Sequence, residues 1–155
     1  MAVKVTELHH HGIRIGPSSG NLEQALAFYR DVLGLLPDPG RPDIPGAPGF
    51  WLNVGGDAHP NQIHLIGITG ASKYAQGPGK DPTLPHVALA VPDIQETKHE
   101  LDRLGVSYWT TKGVTGPEAE QVFVLDPFGN IIELHQEGTC RCNSRTVAGA
   151  GARMS

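Results

Sequence analysis

The pattern of apolar and polar positions predicts a chain of short strands interrupted by two helices. Apolar residues recur every third or fourth position in segments 21–33 and 94–104, which is the spacing of an amphipathic helix. Gly34 and Gly105 follow these segments, as expected for helix ends. Elsewhere apolar residues alternate with polar ones or form short runs, which is typical of strands. The predicted strands are 7–15, 50–54, 62–66, 85–91, 106–111, 122–125 and 131–134.

The order of these elements repeats along the chain. Residues 10–15 align with residues 86–91, so the two copies lie about 76 residues apart. Each copy is predicted to contain a strand, a helix and three further strands (βαβββ). One helix covers only one face of such a sheet, so two copies can bring their open faces together and enclose a cavity. We therefore predict a single α+β domain at 5–137, with module one at 5–68 and module two at 84–137.

The alternation of side chains along the strands selects four residues that face this cavity. In each strand the apolar residues of one parity are expected to pack on the helix, so residues of the other parity face inward. Inward positions in the first and last strand of each half hold His10, His64, His86 and Glu133. A buried carboxylate is costly unless it is paired, hydrogen-bonded or bound to a metal. Imidazoles with a carboxylate suit Zn, Ni, Fe, Mn or Co, so we predict that these four residues hold a divalent metal ion.

The same alternation makes the other histidines weaker candidates for metal ligands. His11 is the main alternative to His10, although its parity assigns it to the helix face. The others are expected at a strand edge, at a strand end, in a turn and on a helix surface: His9, His135, His59 and His99. A second interpretation stays open, in which each histidine only satisfies a backbone group of its strand.

Three further residues are predicted to contact a ligand in the cavity. Arg14 follows His10 by four positions and shares its inward face. An arginine there can hold an anionic group through paired hydrogen bonds. Trp51 and Phe123 are predicted to face inward and to form an apolar wall. The turn at 126–130 contains Pro, Gly and Asn and is predicted to be structural.

Charge and composition exclude several classes of partner. The net charge of −4 offers no basic surface for nucleic acid, and no apolar run approaches the length of a membrane span. The two cysteines, Cys140 and Cys142, are too close in sequence for an easy disulfide. They lie in a tail at 138–155 that is rich in Gly, Ala, Ser and Arg and is expected to be disordered. We expect a cytoplasmic protein that binds a small molecule.

Several segments together resemble the vicinal oxygen chelate superfamily, which contains glyoxalase, bleomycin-resistance and extradiol dioxygenase proteins. The resemblance covers about residues 7–136. Its motifs are Leu8-His-His, AFYRDVLGL at 27–35, QIHL at 62–65, PHVALAVPD at 85–93 and LDPFGNIIEL at 125–134. It implies paired βαβββ modules whose curved sheets form a metal-binding cleft, and it implies a homodimer. The ligands that it implies are His10, His64, His86 and Glu133.

The resemblance also implies an activity. It points to a metal-dependent lyase or isomerase of the glyoxalase type that acts on a small substrate with two neighbouring oxygens. Glu133 is expected to be a ligand first and a base second, and His64 is the other candidate for proton transfer. Two alternatives stay open: an extradiol-type dioxygenase, in which two histidines and a carboxylate hold Fe(II), and a non-catalytic drug- or metabolite-binding protein of the bleomycin-resistance type.

Overall fold

The computed structural model describes residues 2–55, 61–116 and 119–138, which form a seven-stranded mixed sheet and two α-helices. The strands are β1 (Glu7–Arg14), β2 (Gly49–Val54), β3 (Asn61–Ile66), β4 (His86–Val91), β5 (Tyr108–Lys112), β6 (Glu120–Leu125) and β7 (Ile131–Gln136). The helices are α1 (Ser19–Ala27) and α2 (Ile94–Arg103), and a π-helical turn at Phe28–Val32 follows α1. Within the described ranges, no helix is both long enough and apolar enough to cross a bilayer.

The strand order relates the two halves of the chain. The order is β2-β3-β1-β4-β7-β6-β5. The first strands of the two halves, β1 and β4, pair antiparallel at the centre, and each pairs in parallel with the last strand of its own half. The predicted α+β fold with two related halves is therefore confirmed.

The first half departs from the predicted βαβββ pattern. After its helix the described part of this half has two strands, β2 and β3, and a single bridge between Pro37 and Leu52. The segment 37–48 is rich in proline, and proline has no N–H to donate to a strand ladder. This segment instead forms a loop that reaches the cavity.

The second half has a well-formed helix–sheet core. Asp93 caps α2 by accepting hydrogen bonds from the backbone N–H groups of Gln95 and Glu96. The helix buries Ile94, Thr97 and Leu101. Its apolar side chains pack with residues of β4, β6 and β7, namely Val91, Val122 and Leu134.

An irregularity in β1 changes which of its histidines are buried. Leu8 pairs with Leu89 but His10 pairs with Ala88, so His9 is an extra residue between them. Such a β-bulge breaks strict alternation and lets neighbouring side chains turn to one side. His9 and His10 are both buried, whereas His11 is exposed. We expected His9 at the strand edge, and the bulge buries it instead.

Candidate metal centre

Three of the four predicted ligands meet over the centre of the sheet. His10 Nε2 lies 3.1 Å from His86 Nε2. Glu133 Oε2 lies 3.1 Å from His86 Nε2 and 3.7 Å from His10 Nε2. All three residues are buried, with 2%, 5% and 1% of their surfaces exposed for His10, His86 and Glu133. The three side chains form a group that could hold a metal ion.

Small residues in the central strands make room for this group. Ala88 pairs with His10 on one side and with Glu133 on the other, so these two residues are two strand spacings apart, about 10 Å. The short side chain of Ala88 leaves the space between them open. Gly12 lies beside His86, and a Cβ at Gly12 would be 2.4 Å from His86 Cε1. The His86 ring can therefore lie across the backbone of β1 only because residue 12 is glycine.

The protonation states of the two histidines fit a ligand role. His86 Nδ1 donates to the carbonyl oxygen of Leu84 at 2.6 Å, which leaves the lone pair on Nε2 in the neutral ring. Burial lowers the pKa of His10 to about 4, although Glu133 offsets part of this effect. For His86, burial lowers the pKa but Glu133 outweighs it, so the net shift is upward. Glu133 therefore favours a positive charge at His86, whether that of a proton or that of a metal ion.

The carboxylate supplies the negative charge of the group. Burial alone would raise the pKa of Glu133, but His135, His10 and His86 together lower it well below its ordinary value. The ionised carboxylate therefore faces two ring nitrogens. Atoms that each present a lone pair repel one another in a buried site unless a proton or a cation lies between them.

The spacing of the three atoms fits a single cation. A triangle with sides of 3.1, 3.1 and 3.7 Å has a circumscribed radius of about 1.9 Å, close to the roughly 2.0–2.2 Å of Zn–N and Zn–O bonds. One divalent ion can therefore contact all three donors. The donor set of two imidazoles and one carboxylate suits the first-row metals.

Hydrogen bonds with residues outside this group orient two of its members, His10 and Glu133. His9 Nδ1 lies 2.8 Å from His10 Nδ1, so one of the two rings donates to the other. When His10 presents its Nε2 lone pair to a cation, its Nδ1 carries the proton and His9 accepts. Gln121 Nε2 donates to Glu133 Oε1 at 2.8 Å, and Gln121 in turn accepts a hydrogen bond from Thr111 Oγ1 at 2.8 Å.

His135 completes this surrounding layer. It is fully buried, its Nε2 contacts Glu133 Oε1, and its ring stacks on His9 with centroids 4.7 Å apart. Its nitrogens also lie close to those of His9 and His10. We expected His135 at a strand end, and the structure buries it completely. Gln121 could be found only from the strand register, which pairs it with His135.

His64 lies beside the three donors but points elsewhere. Its ring is stacked between Trp51 and His10, with centroid distances of 4.4 and 3.7 Å. Gln62 Nε2 donates to Asp38 and Asn53, so Gln62 Oε1 faces His64 Nε2 at 3.0 Å and accepts its proton. Burial and then His10 lower the pKa of His64 well below its ordinary value. His64 as a fourth ligand stays a prediction.

The three predicted substrate-binding residues lie in different surroundings. Trp51 lines the cavity beside the donors. Arg14 donates from Nε to the Thr83 carbonyl at 2.9 Å and from Nη2 to Thr83 Oγ1 at 2.7 Å, and it lies 3.6 Å from Asp81 Oδ2. Phe123 is fully buried and packs with Trp109 and Ile131. Neither Arg14 nor Phe123 is among the residues that line the cavity.

The cavity over the donors is small and bounded by loops. Its volume is about 60 Å³, and its walls include an apolar cluster of Ile44, Ala47, Trp51, Tyr74 and Val114. Tyr74 donates its hydroxyl to the carbonyl oxygen of Pro45 at 2.8 Å, which joins two of the loops.

A buried carboxylate holds the segment 69–85 in place. Asp81 accepts hydrogen bonds from the backbone N–H and hydroxyl groups of Ser72 and Thr83. His11 and His99 are exposed. His59, Cys140, Cys142 and the tail from residue 139 onward lie outside the described residues.

Comparison with known proteins agrees with this architecture. The sequence profile of the Glyoxalase/Bleomycin resistance protein/Dioxygenase superfamily matches residues 14–134. No curated protein sequence matches the chain.

Solved structures share the fold. Methylmalonyl-CoA epimerase from Mycobacterium tuberculosis has 22% identity and a TM-score of 0.63, over 88% of this chain and 91% of that one. A variant of Streptomyces coelicolor methylmalonyl-CoA epimerase in complex with 2-nitronate-propionyl-CoA has 17% identity and a TM-score of 0.62, over 88% and 98%. A 2,3-dioxygenase from Pseudomonas sp. KL28 has 22% identity and a TM-score of 0.62, over 90% of this chain but 43% of that one. The profile match over most of its length shows that the chain belongs to the Glyoxalase/Bleomycin resistance protein/Dioxygenase superfamily.

Proposed function

We propose that the protein is a metal-dependent enzyme of the glyoxalase type, a lyase or isomerase, that acts on a small substrate with two neighbouring oxygens. The observation that carries this proposal is the convergence of His10 Nε2, His86 Nε2 and Glu133 Oε2 in a buried cavity. A divalent ion of Zn, Ni, Fe, Mn or Co bound there would supply Lewis-acid stabilisation of a developing oxyanion or enolate. The epimerases among the similar structures are isomerases on the same fold.

The residues of the chain provide the proton transfer. Glu133 lines the cavity, and its lowered pKa keeps it ionised, which suits a metal ligand first. In the second role proposed for it, that of a base, it would accept a proton from a substrate carbon next to a carbonyl. Gln121 holds the other carboxylate oxygen, so Oε2 faces the donors. His64 is the second candidate, because it is neutral and lines the same cavity. Trp51 and Ile44 form part of the apolar wall of the site.

Metal analysis tests the binding of an ion directly. Protein purified without an affinity tag should contain close to one divalent ion per chain by elemental analysis. His86→Ala and Glu133→Gln should lose most of it, because each removes one of three donors. His99→Ala removes an exposed histidine from α2 and is the matched control. An unchanged metal content in both donor variants would contradict the proposal.

Hydrogen exchange tests the chemistry without knowledge of the product. Small 2-hydroxyketones and hemithioacetals of 2-oxoaldehydes should exchange the hydrogen next to the carbonyl for deuterium in D₂O, followed by NMR. Glu133→Gln and chelator treatment should each abolish the exchange. Exchange that persists in chelator-treated protein with no residual metal would exclude a metal-dependent step.

An extradiol-type dioxygenase is the second candidate function. The observation that favours it is the donor set itself, because two histidines and one carboxylate are the ligands of many non-haem Fe(II) oxygenases. Oxygen uptake with a panel of catechols on Fe(II)-loaded protein distinguishes the two. Uptake without hydrogen exchange would favour the dioxygenase.

We also propose that the protein forms a homodimer. What supports this is the exposure of three apolar residues close together in the sequence after α1: Phe28, Val32 and Leu33 are 51%, 66% and 52% exposed. An apolar surface of this kind can mark a contact between chains. Light scattering coupled to size-exclusion chromatography should give twice the chain mass. Val32→Glu should shift the mass towards the monomer, whereas Leu125→Glu, at an exposed position of β6, should not.

A further inference from the structure

Arg41 is a cation in a largely apolar part of the cavity wall. It lines the same cavity as His10, His86 and Glu133. Its Nη1 donates to the carbonyl oxygen of Pro42 at 3.1 Å and its Nη2 to that of Ala47 at 2.7 Å. These two hydrogen bonds to the loop backbone fix the direction of the guanidinium group.

One donor of this guanidinium has no acceptor. Arg41 Nε is buried and makes no hydrogen bond. Across the described parts of the chain, no carboxylate pairs with Arg41 at ion-pair distance. Burial lowers the pKa of Arg41 and the exposed Asp43 offsets part of this effect, but an arginine side chain keeps its charge. A buried N–H without an acceptor is costly, and more so on a charged group.

Stacked rings connect Arg41 to the candidate metal centre. The guanidinium carbon lies 5.9 Å from the centre of the Trp51 ring. Trp51 stacks on His64, and His64 stacks on His10. A ligand in this cavity can therefore approach the donors at one end and Arg41 at the other.

Arg14, the arginine predicted from the sequence to hold an anion, has different partners. Its guanidinium is bound to Thr83 and lies next to Asp81, so a carboxylate already balances its charge. Arg41 has no such partner among the described residues. The anion-binding role predicted for the cavity therefore fits Arg41 better.

We propose that Arg41 binds an oxyanion group, a carboxylate or a phosphate, of a small anionic substrate. Charge-assisted hydrogen bonds from Nε and the neighbouring N–H groups would satisfy the buried donor. The orientation of the rest of the substrate towards the histidines rests on the proposed function, but the binding of an oxyanion by Arg41 does not.

The test uses inorganic phosphate and malonate as probes of the full-length protein. Titration calorimetry at low ionic strength should show binding of at least one probe, and Arg41→Met should raise its dissociation constant about 10- to 100-fold. Arg41→Lys keeps the charge but loses the planar guanidinium group, so its dissociation constant should lie between those of the wild type and Arg41→Met. Arg30→Met is the matched control, because Arg30 is a surface arginine paired with Asp31. Circular dichroism of each variant checks folding.

The outcomes separate this inference from the proposed function. A wild-type protein that binds neither probe at 20 mM (roughly the weakest affinity detectable by calorimetry), or an Arg41→Met variant that binds as tightly as the wild type, would overturn the role of Arg41. Metal content is measured on the same samples. Wild-type protein that holds no metal but binds a probe, with binding lost in Arg41→Met, would support the anion site and contradict the metal-dependent function. Normal metal content together with unchanged probe binding in Arg41→Met would support the metal-dependent function and contradict the role of Arg41.

Discussion

The two halves of this chain share a topology but differ in how their helices pack. In the second half, α2 buries Ile94, Thr97 and Leu101 against the sheet. In the first half, α1 buries none of its residues, and Phe28 and Val32 in the following turn are more than half exposed. Repetition of a pattern along the sequence therefore does not ensure that both copies form equal cores. The turn after the first helix presents apolar side chains that a partner could cover, in keeping with the proposed homodimer.

The two halves also differ in what they contribute to the candidate metal centre. His64 pairs with Gly12 in the first half, and Glu133 pairs with Ala88 at the equivalent place in the second. The residue two positions before His64 is Gln62, which accepts its proton, whereas the residue two before Glu133 is Ile131, which has no such group. Equivalent positions thus have different neighbours, and only Glu133 points to the donors of His10 and His86. Strand parity therefore selects the face of the sheet on which a side chain lies, while neighbouring polar side chains decide the direction in which it points.

The largest expected effect concerns the helices. Leu101→Ala should lower the free energy of unfolding by about 2–5 kcal/mol, because it leaves a cavity in the core of the second half. Leu26→Ala, in α1, should cost less than about 1 kcal/mol in monomeric protein, because that side chain is only partly buried. Urea denaturation measures both. Equal losses would show that the two helices contribute alike.

The next effect compares the two equivalent strand positions. Glu133→Gln should weaken Zn²⁺ binding by about 100-fold or more, because it removes the anionic donor. His64→Gln should weaken it by less than about tenfold, because His64 is turned towards Gln62. Competition with a chromophoric chelator gives both affinities. A larger loss in His64→Gln would establish His64 as a primary ligand.

A smaller effect is expected from the residue behind His10. His9→Gln should weaken Zn²⁺ binding by about 10- to 100-fold, because it alters the group that accepts the His10 Nδ1 proton. His11→Gln, at the exposed neighbouring position, is the control and should bind normally. Identical Zn²⁺ affinities for both variants would show that His9 does not contribute to metal binding.

The smallest effect separates the equivalent central positions Gly12 and Ala88. Gly12→Ala places a methyl group against the His86 ring and should weaken Zn²⁺ binding by about tenfold through a displaced donor. Ala88→Gly should change metal binding less and should lower stability by about 1 kcal/mol. Affinity and unfolding are measured on both variants. Normal affinity in Gly12→Ala would show that the ring can shift without loss.

Local sequence pattern determined the element order, the repeat and the inward face of each strand. These features follow from short-range physics, because helical and strand periodicities depend on residues within a few positions of one another. Parity alone therefore selected His10, His64, His86 and Glu133, of which the structure groups His10, His86 and Glu133. The family resemblance implied the same residues.

Tertiary structure decided the features that depend on distant neighbours. The bulge that buries His9 appears only when β1 is paired with β4, and the hydrogen bond that turns His64 requires Asp38 and Asn53 to orient Gln62. The proline-rich loop brings Arg41 to the cavity, while Asp81 engages Arg14 from another loop. No periodicity encodes these contacts, because side-chain direction at a site is set by the partners that folding brings together.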